Sequence, residues 1–176
     1  MSFSVQYLSQ FIQNPRTSYL QALAHTLSYI QGTTAQGILL KGLAQLSLQA
    51  FSDSDWVACP TSRRSVIGYL ILLRSSPISW KSKKQGTVSR SSSEAEYRAM
   101  AHVASEVTWI VRLLQELGIN NLTPVTLNCD NQSAIHIAHN PVFQERTKHI
   151  EIDCHSPEKR YLKDFCNSAI YPPPLN

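Results

Sequence analysis

Apolar and polar positions alternate with two different periods along this chain, and the change of period divides it. From Phe3 to Ile30 the apolar residues recur at helical spacing. Phe3, Val5, Leu8, Phe11 and Ile12 give one rough face, Asn14-Pro15 interrupts it, and Leu20, Leu23, Leu27 and Ile30 mark a second helix ended by Gly32. The period then drops to two. Residues 46–53, 68–74 and 78–84 read as three strands, with a tight turn at Ser75-Ser-Pro77, so 46–84 forms an antiparallel meander. Helical spacing returns after Ser91-Ser-Ser93. Glu96, Met100, Val103, Val107, Ile110, Leu114 and Leu117 share one face of a long helix that stops at Gly118. Ser91 with Glu94, and Ser93 with Glu96, both fit a capping box at its start. A short strand over 125–130 and a short helix over 131–139 follow, the helix closing before Pro141. Strand, long helix, strand is the order of a right-handed crossover, which places 125–130 parallel to an earlier strand of the same sheet.

That placement creates the chemistry. The long helix is apolar along its inner face except at its first member, Glu96, and a carboxylate there needs a hydrogen-bond donor, a cation or a metal to hold it. Strands 46–53 and 125–130 end in acids, Asp53 (with Asp55 close behind) and Asp130. Paired in parallel, they set Asp53 and Asp130 side by side at strand carboxyl ends, where sites form in open sheets. Three carboxylates together repel unless a cation lies between them. Oxygen-only ligands suit Mg²⁺ or Mn²⁺, and carboxylates, such a cation and a neighbouring basic strand describe a site for phosphodiester cleavage.

Charge supports that direction. The 176 residues carry a net +4, but residues 63–98 alone hold eight Lys and Arg against Glu94 and Glu96, a local +6. Such a field suits a polyanion. No apolar run is long enough to span a membrane, and the N-terminus has no signal-peptide pattern. Cys59, Cys129, Cys154 and Cys166 lack metal-ligand spacing and read as reduced thiols of a protein that is intracellular and not secreted. His136, His139, His149 and His155 read as solvated or packed histidines rather than as a zinc site. Trp80 and Trp109 read as core or sheet-surface residues.

Phe51-Ser-Asp-Ser-Asp-Trp56, Arg63-Arg-Ser-Val-Ile-Gly-Tyr69, Ile78-Ser-Trp-Lys-Ser-Lys-Lys-Gln85, Val88-Ser-Arg-Ser-Ser-Ser-Glu-Ala-Glu-Tyr97, Cys129-Asp-Asn-Gln-Ser-Ala134 and Arg146-Thr-Lys-His-Ile-Glu-Ile-Asp153, in this order, resemble the ribonuclease H domain of copia-type (LTR) retrotransposon Pol polyproteins. Residues 1–45 look like the helical connection that follows a reverse transcriptase, and 46–155 like the ribonuclease H-like domain. The resemblance implies an α/β, ribonuclease H-like fold, a mixed sheet flanked by helices. It implies Mg²⁺- or Mn²⁺-dependent cleavage of the RNA strand of an RNA–DNA hybrid, within a polyprotein that also carries a reverse transcriptase, in the cytoplasm or a virus-like particle. Asp53, Glu96 and Asp130 would hold the metal and serve catalysis, with Asp55 and Glu94 as alternatives for the first two. Lys83, Lys84, Ser89, Arg90, Ser91, Ser92 and Asn131 would contact nucleic acid.

Residues 156–176 depart from the family. Its closing strand and helix, and the fourth acid on that helix, have no counterpart in Ser156–Asn176. Codons exist for this stretch that, read one base earlier, restore a family-like continuation. The tail is therefore expected to be disordered or frameshifted, and the domain to lack its last strand, last helix and fourth acid. Glu151 and Asp153 are the only nearby acids. Loss of that acid raises the alternative of a catalytically dead remnant that at most binds nucleic acid.

Overall fold

The computed structural model describes residues 1–40, 46–139 and 170–171. It divides into two units, 1–40 and 41–176. The first holds α1 (Ser2–Ser9) and α2 (Thr17–Gly32). Pro15 separates them, and stacked rings of Phe11 and Tyr19 bridge the break. No residue of α2 is buried, and its apolar stripe of Leu20, Leu23, Leu27 and Ile30 is exposed.

The second unit is built on a mixed sheet. Strands β1 (Leu48–Asp55), β2 (Val66–Leu73) and β3 (Ser76–Lys84) form the antiparallel meander. Helix α3 (Ser92–Glu116) crosses over, and β4 (Thr126–Asn128) returns parallel to β1, with Ala50 opposite Leu127 and Phe51 opposite Asn128. Helix α4 (Gln132–His139) follows. A two-residue segment, β5 (Ile170–Tyr171), pairs parallel with β4, giving the order β3-β2-β1-β4-β5. The tail expected to leave the sheet short of its last strand thus contributes this small piece of one. The residues expected to lack the last helix lie outside those described, as do Glu151, Asp153, His149 and His155.

Pattern explains most of this. Leu48, Ala50, Ser52 and Ser54 alternate with exposed or half-exposed residues along β1, so one face of the strand is inward. On β2, Ile71 pairs with Ala50 on that face. Helix α3 lies across it with Tyr97, Met100, Val103 and Val107 fully buried, and Ala99, Ala101 and Ala104 let the backbone approach closely. Each large apolar side chain buried here stabilises the unit by roughly 1.5–3 kcal/mol. Ala134 and Ala138 of α4 complete the core.

Three readings shift in detail. Strand β1 runs on through Asp55 because Asp53, Ser54 and Asp55 still pair with Gly68, Ile67 and Val66. The turn between β2 and β3 sits at Arg74-Ser75, with Arg74 left-handed at φ 59°, and Ser76 and Pro77 already belong to the edge strand β3. An edge strand tolerates proline because one side of it needs no hydrogen bonds. Trp109 lies on the outer face of α3 and Trp80 on the open side of β3, so both are exposed rather than core.

Candidate active site at the strand ends

Helix α3 starts on a network that fixes its first turn. Ser91 Oγ accepts from Glu94 N at 3.1 Å, and Glu94 Oε2 accepts from Arg90 N at 2.8 Å. The other oxygen of Glu94 pairs with Arg98 at 2.8 Å, and Arg98 also reaches Thr87. Glu94 is therefore committed to capping and to Arg98, whereas Glu96 faces the strand ends. Of the two capping boxes that the spacing allows, Ser91 with Glu94 is the pair in use, with Glu94 reaching back to Arg90 N, one residue before the cap. The preceding loop is fastened from beneath. Ser89 Oγ donates to Gln85 Oε1 at 2.7 Å, Gln85 Nε2 donates to Ala95 O at 3.0 Å, and the Trp56 indole donates to Ser89 O at 3.1 Å.

Glu96 points to the end of β1. Its Oε1 accepts from Ser54 N at 2.9 Å. Strand β4 has ended at Asn128 before reaching this level, so the carboxylate takes a backbone donor that no strand neighbour uses. Asp130 follows β4 directly. The last pair of β1 with β4 is Phe51 with Asn128, two residues before Asp53 on one strand and two before Asp130 beyond the other. The carboxylates of Glu96 and Asp130 and the Cys129 sulfur all lie within 4.8 Å of one another. Asp53 is outside that tight group, exposed on the far face of β1, but its charge acts on Glu96.

Burial pushes Glu96 from its ordinary 4.5 up to about 7, and the charges of Asp53 and Asp130 push the same way. The hydrogen bonds from Ser54 N and the Cys129 thiol oppose the shift. A buried acid beside two more is what a cation would relieve. The Ser52 and Ser54 hydroxyls are buried on the inward face of β1 without a hydrogen bond of good geometry among the described residues, and that of Ser52 bears on the Cys129 sulfur. Glu96 and Asp130 supply hard oxygen donors of the kind Mg²⁺ or Mn²⁺ prefers, so these two residues fit such an ion, and Asp53 stands outside the tight group.

The residues expected to contact nucleic acid separate into two sets. Lys83, Arg90, Ser91 and Ser92 are exposed, the last three at the start of α3. Ser89 is buried and its hydroxyl donates to Gln85, which makes it a brace for the loop. Lys84 is half-buried with its ammonium 3.7 Å from the Cys59 sulfur. Asn131 Oδ1 accepts from Ala134 N at 2.9 Å and so caps α4. Cys129 was missed as a member of the site. Its only signal in the sequence is its place, one residue before the acid at a strand end. His136 and His139 are exposed on α4.

No protein-family model matches the chain. Curated relatives do. The chain is 48% identical over 155 residues to the retrovirus-related Pol polyprotein from transposon RE1 of Arabidopsis thaliana, covering 88% of this chain and 11% of that polyprotein. It is 36% identical over 155 residues to the one from transposon TNT 1-94 of Nicotiana tabacum, covering 88% of this chain and 12% of the relative. Among solved structures, the RNase H1 of Halobacterium salinarum NRC-1 is similar at 10% identity and a TM-score of 0.45, over 73% of this chain and 86% of its own. With the sheet order, the crossover helix and the two polyprotein relatives in hand, the chain belongs with the copia-type retrovirus-related Pol polyproteins, about a tenth of whose length it spans, and has a ribonuclease H-like fold.

Proposed function

We propose that this domain cleaves the RNA strand of an RNA–DNA hybrid with a bound divalent cation. The observation that carries the reading is the convergence of Glu96 and Asp130 at the end of β4, with the charge of Asp53 on β1 acting on Glu96. When bound, Mg²⁺ or Mn²⁺ would activate water and stabilise the charge on the leaving 3′ oxygen. The chain's own groups do the rest. Glu96 is held by Ser54 N–H, so its carboxylate is aimed before the ion arrives. Asp130 is exposed and can adjust to the ion and the phosphate. Arg90, Ser91 and Ser92 present charge and hydroxyls at a helix start, a setting that suits phosphate. Recognition of the hybrid would follow its A-like shape and 2′-hydroxyls rather than its bases. The reverse transcriptase region of a longer polyprotein is the natural partner, since it makes the hybrid.

A second reading has its own observation. The sequence after His155 departs from the family's closing motif, in which the fourth acid stands. A domain that keeps the basic surface and loses turnover would bind hybrid without needing a cation. Labelled hybrid incubated with the purified chain and Mg²⁺ or Mn²⁺ decides between them. RNA-strand cleavage that disappears in Asp53→Asn supports the enzyme. Binding that survives Asp130→Asn, with no cleavage by either form, supports the remnant.

A further inference from the structure

The donor set at the strand ends includes one group that hydrolysis by a hard cation does not call for. Cys129 Sγ lies 3.9 Å from Glu96 Oε2, and with Asp130 the three donor atoms stay within 4.8 Å of one another. A sulfur at about 2.3 Å and an oxygen at about 2.0 Å on one tetrahedral zinc lie roughly 3.5 Å apart. A shift of a few tenths of an ångström would therefore let Cys129 and Glu96 share an ion. Cys129 and Glu96 are buried, whereas Asp130 is exposed, so the cluster is walled on one side and open on the other.

A second observation points to a ligand at this place. Ser52 lies on the inward face of β1 with its hydroxyl within reach of the Cys129 sulfur. The Ser52 residue is 7% exposed, and its hydroxyl has no hydrogen-bond partner of proper geometry among the described residues. Leaving a buried hydroxyl unpaired costs about 1–3 kcal/mol. A thiolate next to it would accept that hydrogen bond, and a thiolate forms here when a soft cation takes the sulfur.

We propose that Glu96, Cys129 and Asp130 form a site for a thiophilic cation, Zn²⁺ or Cd²⁺, which displaces the hard cation and silences the site, with Ser52 donating to the bound thiolate. The silencing rests on the proposed nuclease reading, whereas the binding does not. Hard cations select the carboxylates and leave the thiol alone, while soft ones take it. On binding, the thiol's proton passes to solvent, so affinity rises with pH.

The test is a titration of the full chain with Cd²⁺, followed by ultraviolet absorption of the cadmium–thiolate band. The expected band is present in the parent chain and in Cys59→Ser, Cys154→Ser and Cys166→Ser, and absent in Cys129→Ser. Ser52→Ala keeps the core and is expected to weaken binding about tenfold, the size of a lost second contact to a metal ligand. Circular dichroism monitors folding of each variant. If Cys129→Ser does not fold, Ser52→Ala and Glu96→Gln decide, and unchanged affinity in both overturns the site. A band that persists in folded Cys129→Ser overturns it outright. Hybrid cleavage in Mg²⁺ is measured alongside. Absent cleavage with an intact cadmium band defeats only the nuclease reading. Cleavage that Zn²⁺ does not inhibit, with no cadmium band, defeats only this site.

Discussion

Helices α2 and α3 carry the same helical spacing of apolar residues and end up in opposite circumstances. Helix α3 buries most of its length, from Glu94 to Ile110, against β1 and β2. Helix α2 buries nothing, and Leu20, Leu23 and Leu27 are each more than two-fifths exposed. Periodicity states which face would be buried. Whether it is buried depends on a sheet to receive it, and only the second unit has one. The contrast extends to function. Of the two buried acids of α3, Glu94 is taken up by the helix start and Arg98, and Glu96 becomes the centre of the candidate site because the sheet ends there.

The largest effect should come from placing a charge in the better-packed helix. Val107→Asp puts an unpaired carboxylate among fully buried residues and should cost more than about 4 kcal/mol, enough to abolish the thermal transition of the sheet unit. Leu23→Asp, the matching change on α2, should leave that transition within about 0.5 kcal/mol. Equal losses from the two would break the comparison.

Next comes the acid itself. The folded pKa of Glu96 is raised, so the folded state binds the proton more tightly than the unfolded chain. Its protonated form carries no penalty below about pH 4.5, and the full penalty is present above about pH 7. Without divalent cations, stability should therefore fall between those values, by up to about 3 kcal/mol. Glu96→Gln should flatten the fall, matching the parent at acid pH and exceeding it at pH about 8. Added Mg²⁺ should recover the parent's loss at high pH and leave Glu96→Gln less affected. Thermal melts across pH measure both.

Smaller effects sharpen the account of the helix start. Ser91→Ala removes the cap acceptor of Glu94 N and should cost about 1 kcal/mol, read from denaturant midpoints. Trp56→Phe removes the indole bond to Ser89 O and should cost about 1 kcal/mol or less. Its influence on cleavage should exceed its influence on stability, because it ties the exit of β1 to the loop before α3.

The strands, the long helix and the parallel return of β4 were legible because each depends on local pattern or on the handedness of crossovers. Glu96 was legible as the one acid on an apolar face. Three features were not. Ser89 looks like one more polar loop residue, and only its packing under Trp56 and against Gln85 reveals a brace. Asn131 reads as a contact residue until α4 is seen to need its cap. Cys129 joins the site through the β1–β4 register and the aim of Glu96, both of which are long-range facts. The two-residue β5 likewise follows from pairing with β4, and no alternation in Ile170-Tyr171 announces it.

The most direct test is RNA-strand cleavage of a labelled RNA–DNA hybrid by the purified chain in Mg²⁺, beside Glu96→Gln. Cleavage by the parent that falls at least a hundredfold in Glu96→Gln, about 2.7 kcal/mol of lost transition-state stabilisation, is the predicted result. A folded parent chain that leaves the hybrid intact in both Mg²⁺ and Mn²⁺, or a Glu96→Gln variant that cleaves as fast as the parent, would contradict it.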